Sequence, residues 1–445
     1  MLKKIRRKAT AKHLIEHQGV NDQVNEGRRW PHLGLWRHPD FLRLWGAETV
    51  SLWGTQVTLL ALPTAAILAL HAGSMEVGLL LALQQLAFLF VGPFAGVMAD
   101  RLSRRHIMVV ADLGRMLILG SIPLAFALGH LTMAHLFLVT AVVSIFTVFF
   151  DVSYQSYLVT LVSRTNLVEG NAKLALGDAS SRIGGPALAG ILIQIVGAAT
   201  AITVDTLSYL ASALSLISIK KQEPLSASSA ENKAKGVFVE AREGLEVVFR
   251  NPILRLIAIV NTLQNLGISI AEAVVLIFAY RRLLLSPGIV GIAMAIGSIG
   301  FVLGALLASS TVRKLGIGPT LTIFGFVGGV SYLLIPLGVF GTPALFIVLW
   351  RLLYGLQLPI YDINQISLRQ AVTPDRLQGR MNATMRTASF GALGLGALVG
   401  GFLGIQLGLV LTILLGGIIY CMGSLLMLSR SMITLRDLPD PVTAN

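Results

Sequence analysis

Twelve apolar runs of membrane length, joined by mostly short connections, leave this chain few ways to fold. They cover roughly 41–70, 75–98, 107–128, 133–154, 170–196, 200–219, 253–280, 288–309, 318–338, 342–365, 384–405 and 408–429. About 20 apolar residues of α-helix cross a hydrocarbon core of about 30 Å. Helices suit that medium because they satisfy their own backbone groups where no water can. The chain is 54% hydrophobic and only 13% charged, against about 25% charged in soluble domains. The expectation is an all-α membrane protein with twelve transmembrane helices.

A net charge of +13 would suit a nucleic-acid binder, but the distribution of that charge argues for a membrane topology instead. With the N-terminus inside, nearly all Lys and Arg fall in the even-numbered connections, in the tails or at adjoining helix ends. Arg281 and Arg282 are the adverse pair near the outer side, and Arg351 lies within the tenth run. This is the positive-inside pattern. It predicts a multi-pass protein of the cell (inner or plasma) membrane with both termini cytoplasmic and no nucleic-acid partner. Residues 1–38 form a basic tail whose Lys3, Lys4, Arg6, Arg7 and Lys8 suit anionic lipid; no cleavable signal peptide is read there. The lone Cys421 excludes an internal disulfide.

The long polar interval 220–252 divides the chain. Val237, Phe238, Ala241, Leu245, Val248 and Phe249 in its second part have helical spacing, predicting a short helix on the membrane surface. The flanking halves resemble each other. Gln155, Leu158, Val162, Ser163 and Leu167 recur 210 residues later as Gln365, Leu368, Val372, Thr373 and Leu377. Asp151, Asn171 and Ala172 recur 211 later as Asp362, Asn382 and Ala383. A six-plus-six duplication is the economical account. The expected organisation is a tail (1–38), a six-helix bundle (39–219), a cytoplasmic linker with its surface helix (220–252), a second six-helix bundle (253–430) and a C-terminal tail (431–445).

Between the second and third runs stands Gly96-Val-Met-Ala-Asp100-Arg101-Leu-Ser-Arg104-Arg105. The pattern G-x-x-x-D-R-x-x-R-R resembles the helix 2–3 loop signature of the major facilitator superfamily. There the acid latches one arrangement of two six-helix bundles, so Gly96, Asp100, Arg101, Arg104 and Arg105 are the candidate conformational gate. Gly96 would let helices approach closely, Asp100 would cap a neighbouring helix N-terminus, and the arginines would pair with that acid or with lipid phosphate. The second half keeps Gly304, Arg313 and Lys314 but has Ala308 in place of the acid. Gly185-Pro186-Ala187-Leu188-Ala189-Gly190 resembles the superfamily's antiporter motif, with Ala189 replacing one glycine; a plain Gly-Pro kink is the alternative. The stretch from Asn364 to Ala383 is similar to the helix 10–11 region of bacterial drug and siderophore exporters, the group of macrolide efflux proteins and the enterobactin exporter. The resemblance implies the two-bundle fold and proton-coupled export of a small amphipathic molecule. The fourth run lacks the arginine that many proton antiporters carry.

Ionisable residues inside spans are functional candidates because hydrocarbon penalises them. Asp112 with Arg115 and Asp178 with Arg182 have the spacing of internal ion pairs. Glu48 and Glu272, in the first span of each half, lack a local basic partner and are the proton-coupling candidates; Asp205 is a weaker one. Gln56, Gln264, Asn265, Tyr354 and Gln357 are the substrate-cavity candidates, and so amide-rich a set suits a weakly charged cargo. The expected partners are a small-molecule substrate, protons and membrane lipid, around a monomer. No Walker loop is present, and His13-Leu-Ile-Glu16-His17 matches a zinc-protease pattern only by chance. Neither an enzyme nor a cofactor or metal is expected. A uniporter or importer on the same fold, and a non-transporting sensor or lipid-handling protein, stay open as rivals.

Overall fold

A computed structural model of the chain describes residues 34–162, 166–220 and 237–437. The N-terminal tail as far as residue 33, the linker stretch 221–236 and residues 438–445 lie outside it, so the tail's basic cluster and the His13–His17 motif have no structural account.

Among the described residues, twelve helices are long and apolar enough to cross a membrane. In chain order the first six are α1 (Pro39–Leu68), α2 (Ser74–Arg101), α3 (Arg104–Ala127), α4 (Met133–Leu161), α5 (Leu167–Val196) and α6 (Ala198–Ile217). The second six are α7 (Pro252–Ile277), α8 (Pro287–Leu315), α9 (Ile317–Leu333), α10 (Pro343–Ala371), α11 (Asp375–Gln406) and α12 (Leu409–Leu425). A π-helical turn, Phe278–Arg282, extends α7. The boundaries follow from capping chemistry. Pro39, Pro252, Pro287 and Pro343 open their helices where a missing N–H costs nothing. The side chains of Ser103, Thr132, Asn251 and Ser286 accept from the first-turn amides of α3, α4, α7 and α8. Gly197 (φ +84°) and Gly408 (φ +79°) make the tight α5–α6 and α11–α12 connections, backbone that favours glycine.

The helices form two six-helix bundles, and the apolar residues they leave exposed, such as Leu117, Leu138, Ile195, Leu306 and Phe402, are those a lipid environment would cover. The linker helix, Val237–Arg250, forms over the residues whose spacing predicts it. It packs on α11 as well as facing outward. Gly244 lies against the Arg380 carbonyl and the Thr384 hydroxyl, and Glu243 forms an ion pair with Arg380. We call the end of the molecule carrying this helix the linker face, and the end carrying the α1–α2 and α3–α4 connections the loop face.

The candidate transport cavity and its seal

The bundles touch along two seams, each made where small residues let backbones meet. On one, Gly190 of α5 faces Gly291 of α8 so closely that a Cβ on Gly190 would stand 2.8 Å from the Gly291 Cα and 2.7 Å from the Pro287 carbonyl oxygen. On the other, a Cβ on Gly78 of α2 would meet the Ala397 carbonyl oxygen at 2.5 Å and the Gly401 Cα at 3.0 Å. Ser74 Oγ donates to the Gly401 carbonyl (2.9 Å). The seams are related by the internal repeat: Gly78 and Gly291 lie 213 residues apart, Gly190 and Gly401 lie 211 apart. Hydroxyls of Thr64 on α1 and Tyr280 after α7 hydrogen-bond at 2.9 Å. Arg281 donates to the carbonyls of Ile67 (3.3 Å) and Ala72 (2.8 Å) in and beside the α1–α2 connection. Arg281, adverse to the charge rule, therefore ties the two bundles together.

All these contacts lie toward the loop face. The last large one on the α2–α11 seam is Phe88 stacked on Phe390, with ring centroids 4.8 Å apart. Nearer the linker face a Cβ built on Gly92, Gly96 or Gly379 would meet nothing within 4 Å. Gly96 is thus not a close-contact glycine in this conformation, contrary to its sequence reading. Gly304, its counterpart in the second half, does pack tightly, against the Leu356 carbonyl of α10.

In the second bundle lies a cavity of about 410 Å³, lined by α7, α10, α11 and Tyr420 of α12. Of the residues proposed from sequence, Gln264, Asn265 and Tyr354 line it. Gln357 does not: it is fully buried, packed behind the wall beside Gly328 and Tyr420. Gln56 packs its stem against Gly185, within the first bundle. Asn261, Tyr361, Ser389 and Tyr420 also line it, as do Gln365, Asn382, Asp362, Arg369 and Arg386, five residues that the sequence reading did not single out as a site. Span boundaries explain the omission. The apolar runs place Asp151, Asp362 and Arg386 at span ends, whereas the helices continue to Leu161, Ala371 and Asp375. Arg386 lies 11 residues inside α11, about 16 Å along its axis. The repeat that aligns Asp151 with Asp362 was the available signal.

Asp112 and Arg115 form an ion pair, both fully buried. Ser212 of α6 donates to the second carboxylate oxygen at 2.6 Å. Arg115 lies between the rings of Phe150 (4.3 Å) and Tyr209 (4.2 Å), so aromatic faces supply the rest of its charge compensation. Asp178 and Arg182 pair at 2.8 Å, about half exposed, on the cleft side of α5. Glu48 lies within electrostatic range of Asp151, Arg115 and Asp178, and its Oε2 is buried without a hydrogen bond. Glu272 accepts from the Tyr332 hydroxyl (3.0 Å) and feels Arg351 of α10, so an interhelical partner replaces the local one it lacks. It stands one turn beyond Ile268, the cavity-lining residue nearest the loop face on α7. Asp205 is buried and accepts from Ser208.

In the gate motif, Arg104 donates to the carbonyls of Ala99 and Ser156 and to Thr160 Oγ1, and Arg105 to the Leu216 and Ile217 carbonyls. Both fasten α3 to the linker-face ends of α4 and α6. Arg101 is exposed, and the Asp100 backbone lies in the last turn of α2. Pro186 and Gly190 of the antiporter-like motif belong to the α5–α8 seam, while Gly185 packs on α1.

This is a two-bundle membrane fold sealed at one end and open at the other, and the model of the Major Facilitator Superfamily matches residues 44–392. The chain belongs to the Major Facilitator Superfamily. It is accordingly a secondary transporter and not an enzyme, with a small-molecule substrate. It is 26% identical over 392 residues to the MFS-type transporter YfiS of Bacillus subtilis (strain 168), covering 87% of this chain and 92% of that one. With the multidrug efflux pump Tap of Mycolicibacterium fortuitum it shares 26% identity over 402 residues, 85% of this chain and 92% of Tap. A mutant of the nucleoside transporter NupG superposes with a TM-score of 0.73 at 15% identity, over 89% of this chain and 100% of that one, a likeness of fold.

Proposed function

We propose that this superfamily member is a proton-coupled exporter working by alternating access, lifting small amphipathic molecules out of the cytoplasm. The observation that carries the reading is the polar cavity of the second bundle, with two repeat-related glycine seams closing the bundles toward the loop face and Gly92, Gly96 and Gly379 unopposed nearer the linker face. With the termini and linker in the cytoplasm, as the arginine and lysine distribution argues, this conformation faces inward and accepts cargo from inside. The 26% identity to Tap supports efflux as the direction. Glu48 and Glu272, one in the first helix of each bundle, are the proposed proton carriers, because coupling needs a carboxylate that is neither fully solvated nor locked into a full ion pair. Asp100 is proposed to latch the outward-facing arrangement, in which the linker-face ends approach.

Efflux of a fluorescent dye and of a macrolide from expressing cells, with and without an uncoupler, tests the reading. Export that collapses with the uncoupler, and that Glu48→Gln or Glu272→Gln abolishes while sparing downhill exchange, is the expected result. Export indifferent to the proton gradient would leave a uniporter. If both single variants and the double variant still concentrate cargo, the coupling residues lie elsewhere.

A further inference from the structure

The cavity wall of the second bundle holds charge that the protein itself leaves unmatched. Arg386 is exposed to the cavity and makes no ion pair among the described residues. Its guanidinium lies 5.4 Å from the ring centroids of Phe88 and Phe390, the stacked pair that ends the α2–α11 seam. Stacking fixes the plane of a guanidinium while leaving its N–H edges free. Those edges are flanked on the same face of α11 by Asn382, four residues before, and Ser389, three after, and all three line the cavity. Arg369 lines it too, with its Nε buried and without a hydrogen bond. The acids nearby are few: Asp362 shares the α10 face with Arg369, and Asp151 reaches Arg386 only from across the cleft, at electrostatic range. An arginine this far inside a span is costly unless something neutralises it, and the arginine fork is shaped for a planar oxyanion.

We propose that Arg386, with Asn382 and Ser389 beside it, is the cargo-recognition centre of this cavity, and that the cargo carries an oxyanion, a carboxylate or sulfonate, on an aromatic or hydrogen-bonding body. A cavity of about 410 Å³ takes a molecule of drug size. The carboxamides of Asn261, Asn265 and Gln365 offer neutral donors to the body of the ligand. This departs from the sequence expectation of a weakly charged cargo, because Arg369 and Arg386 join the amides in the lining, and it rests on the transporter reading only in identifying the ligand as cargo.

Equilibrium binding to purified protein in a neutral detergent separates the two ideas. The probes are 5-carboxyfluorescein, an anion, and rhodamine 123, a cation of similar ring system, each followed by fluorescence anisotropy. The anion is expected to bind saturably to the parent. Arg386→Gln should weaken it at least about tenfold, and Arg386→Lys less, since charge remains while the fork is lost. The cation should bind no better than the anion to the parent and should not be weakened by Arg386→Gln. Absence of saturable carboxyfluorescein binding, binding that Arg386→Gln leaves unchanged, or equal weakening of both probes in the two variants would overturn the proposal. A thermal melt checks that each variant is folded, with Arg386→Lys as the conservative second test. Binding without carboxyfluorescein counterflow in proteoliposomes would sink the export reading and leave this site standing; counterflow without charge preference would do the reverse.

Discussion

The two bundles share a scaffold and differ in their wiring. Repeat-related glycines, Gly78 with Gly291 and Gly190 with Gly401, build both seams, and Gly197 and Gly408 turn the same connection in each half. Apart from Asp151 and Asp362, the charges do not follow the repeat. The first bundle gathers Glu48, Asp112, Asp151, Asp178 and Asp205 around one deeply buried cation, Arg115. In the second, Glu272 and Asp362 face Arg351, Arg369 and Arg386. Glu48 and Glu272 are not repeat partners: Glu48 is nine residues into α1 and Glu272 twenty into α7, so they sit at different depths. Backbone-to-backbone contact tolerates almost no side chain and so preserves the duplicated geometry. Cavity-facing positions have no such constraint and are free to diverge into an acidic wall and a basic one.

The largest test of this contrast concerns arginines. Arg115→Ala should destabilise the protein by about 3–5 kcal/mol, because it strands the buried Asp112 carboxylate. Arg386→Ala should leave stability nearly unchanged, since its side chain is exposed and makes no ion pair among the described residues. Thermal melts of the two purified variants compare them directly, and similar losses would mean that the second wall is structural like the first.

A second test asks whether the seams are equivalent. Gly190→Leu and Gly78→Leu each place a side chain where a Cβ alone already collides with facing backbone, and overpacking costs about 1–3 kcal/mol. Both should favour parting of the loop face and slow transport by a similar factor, read as increased labelling of a loop-face cysteine. If only one variant shows it, the repeat symmetry of the seal is superficial.

Asp100→Asn should reduce transport strongly at normal expression, since the proposed latch biases a two-state equilibrium and does not hold a bundle together. Equal turnover of variant and parent at matched protein levels would remove the latch from the account. Because the second half has Ala308 at the matching place, this is also a test of one-sidedness.

Smallest should be the effect of Arg281→Ala. Losing its two part-buried hydrogen bonds to carbonyls weakens the loop-face seal by about 1 kcal/mol, roughly a fivefold shift between conformations. Orientation is checked in the same labelling experiment, in a Cys421→Ala background. His130→Cys should react with an impermeant thiol reagent in whole cells and Arg242→Cys only after the membrane is opened. Ser74, although at the loop face, is a poor labelling position because it is buried and bonded to Gly401. The reverse pattern would turn the open cavity to the outside.

Much of this protein was legible in residue order alone, because each span must satisfy its backbone locally and face lipid or neighbours with apolar side chains. The twelve helices, the linker helix and the spacing of Asp112 with Arg115 and Asp178 with Arg182 all come from such short-range rules, and the two-bundle fold from the repeat between the halves and the family resemblance. Tertiary structure decided what depends on residues hundreds of positions apart meeting. Gln264, Asn265 and Tyr354 reached the cavity, but Gln357, three residues beyond Tyr354 on α10, turned away from it. Arg386 changed from a helix-end charge to a cavity one because α11 continues past its apolar run. Hydropathy records where side chains are apolar, whereas a helix ends where its hydrogen-bonding and capping end, and the difference between the two placed the charged cavity lining beyond the reach of hydropathy.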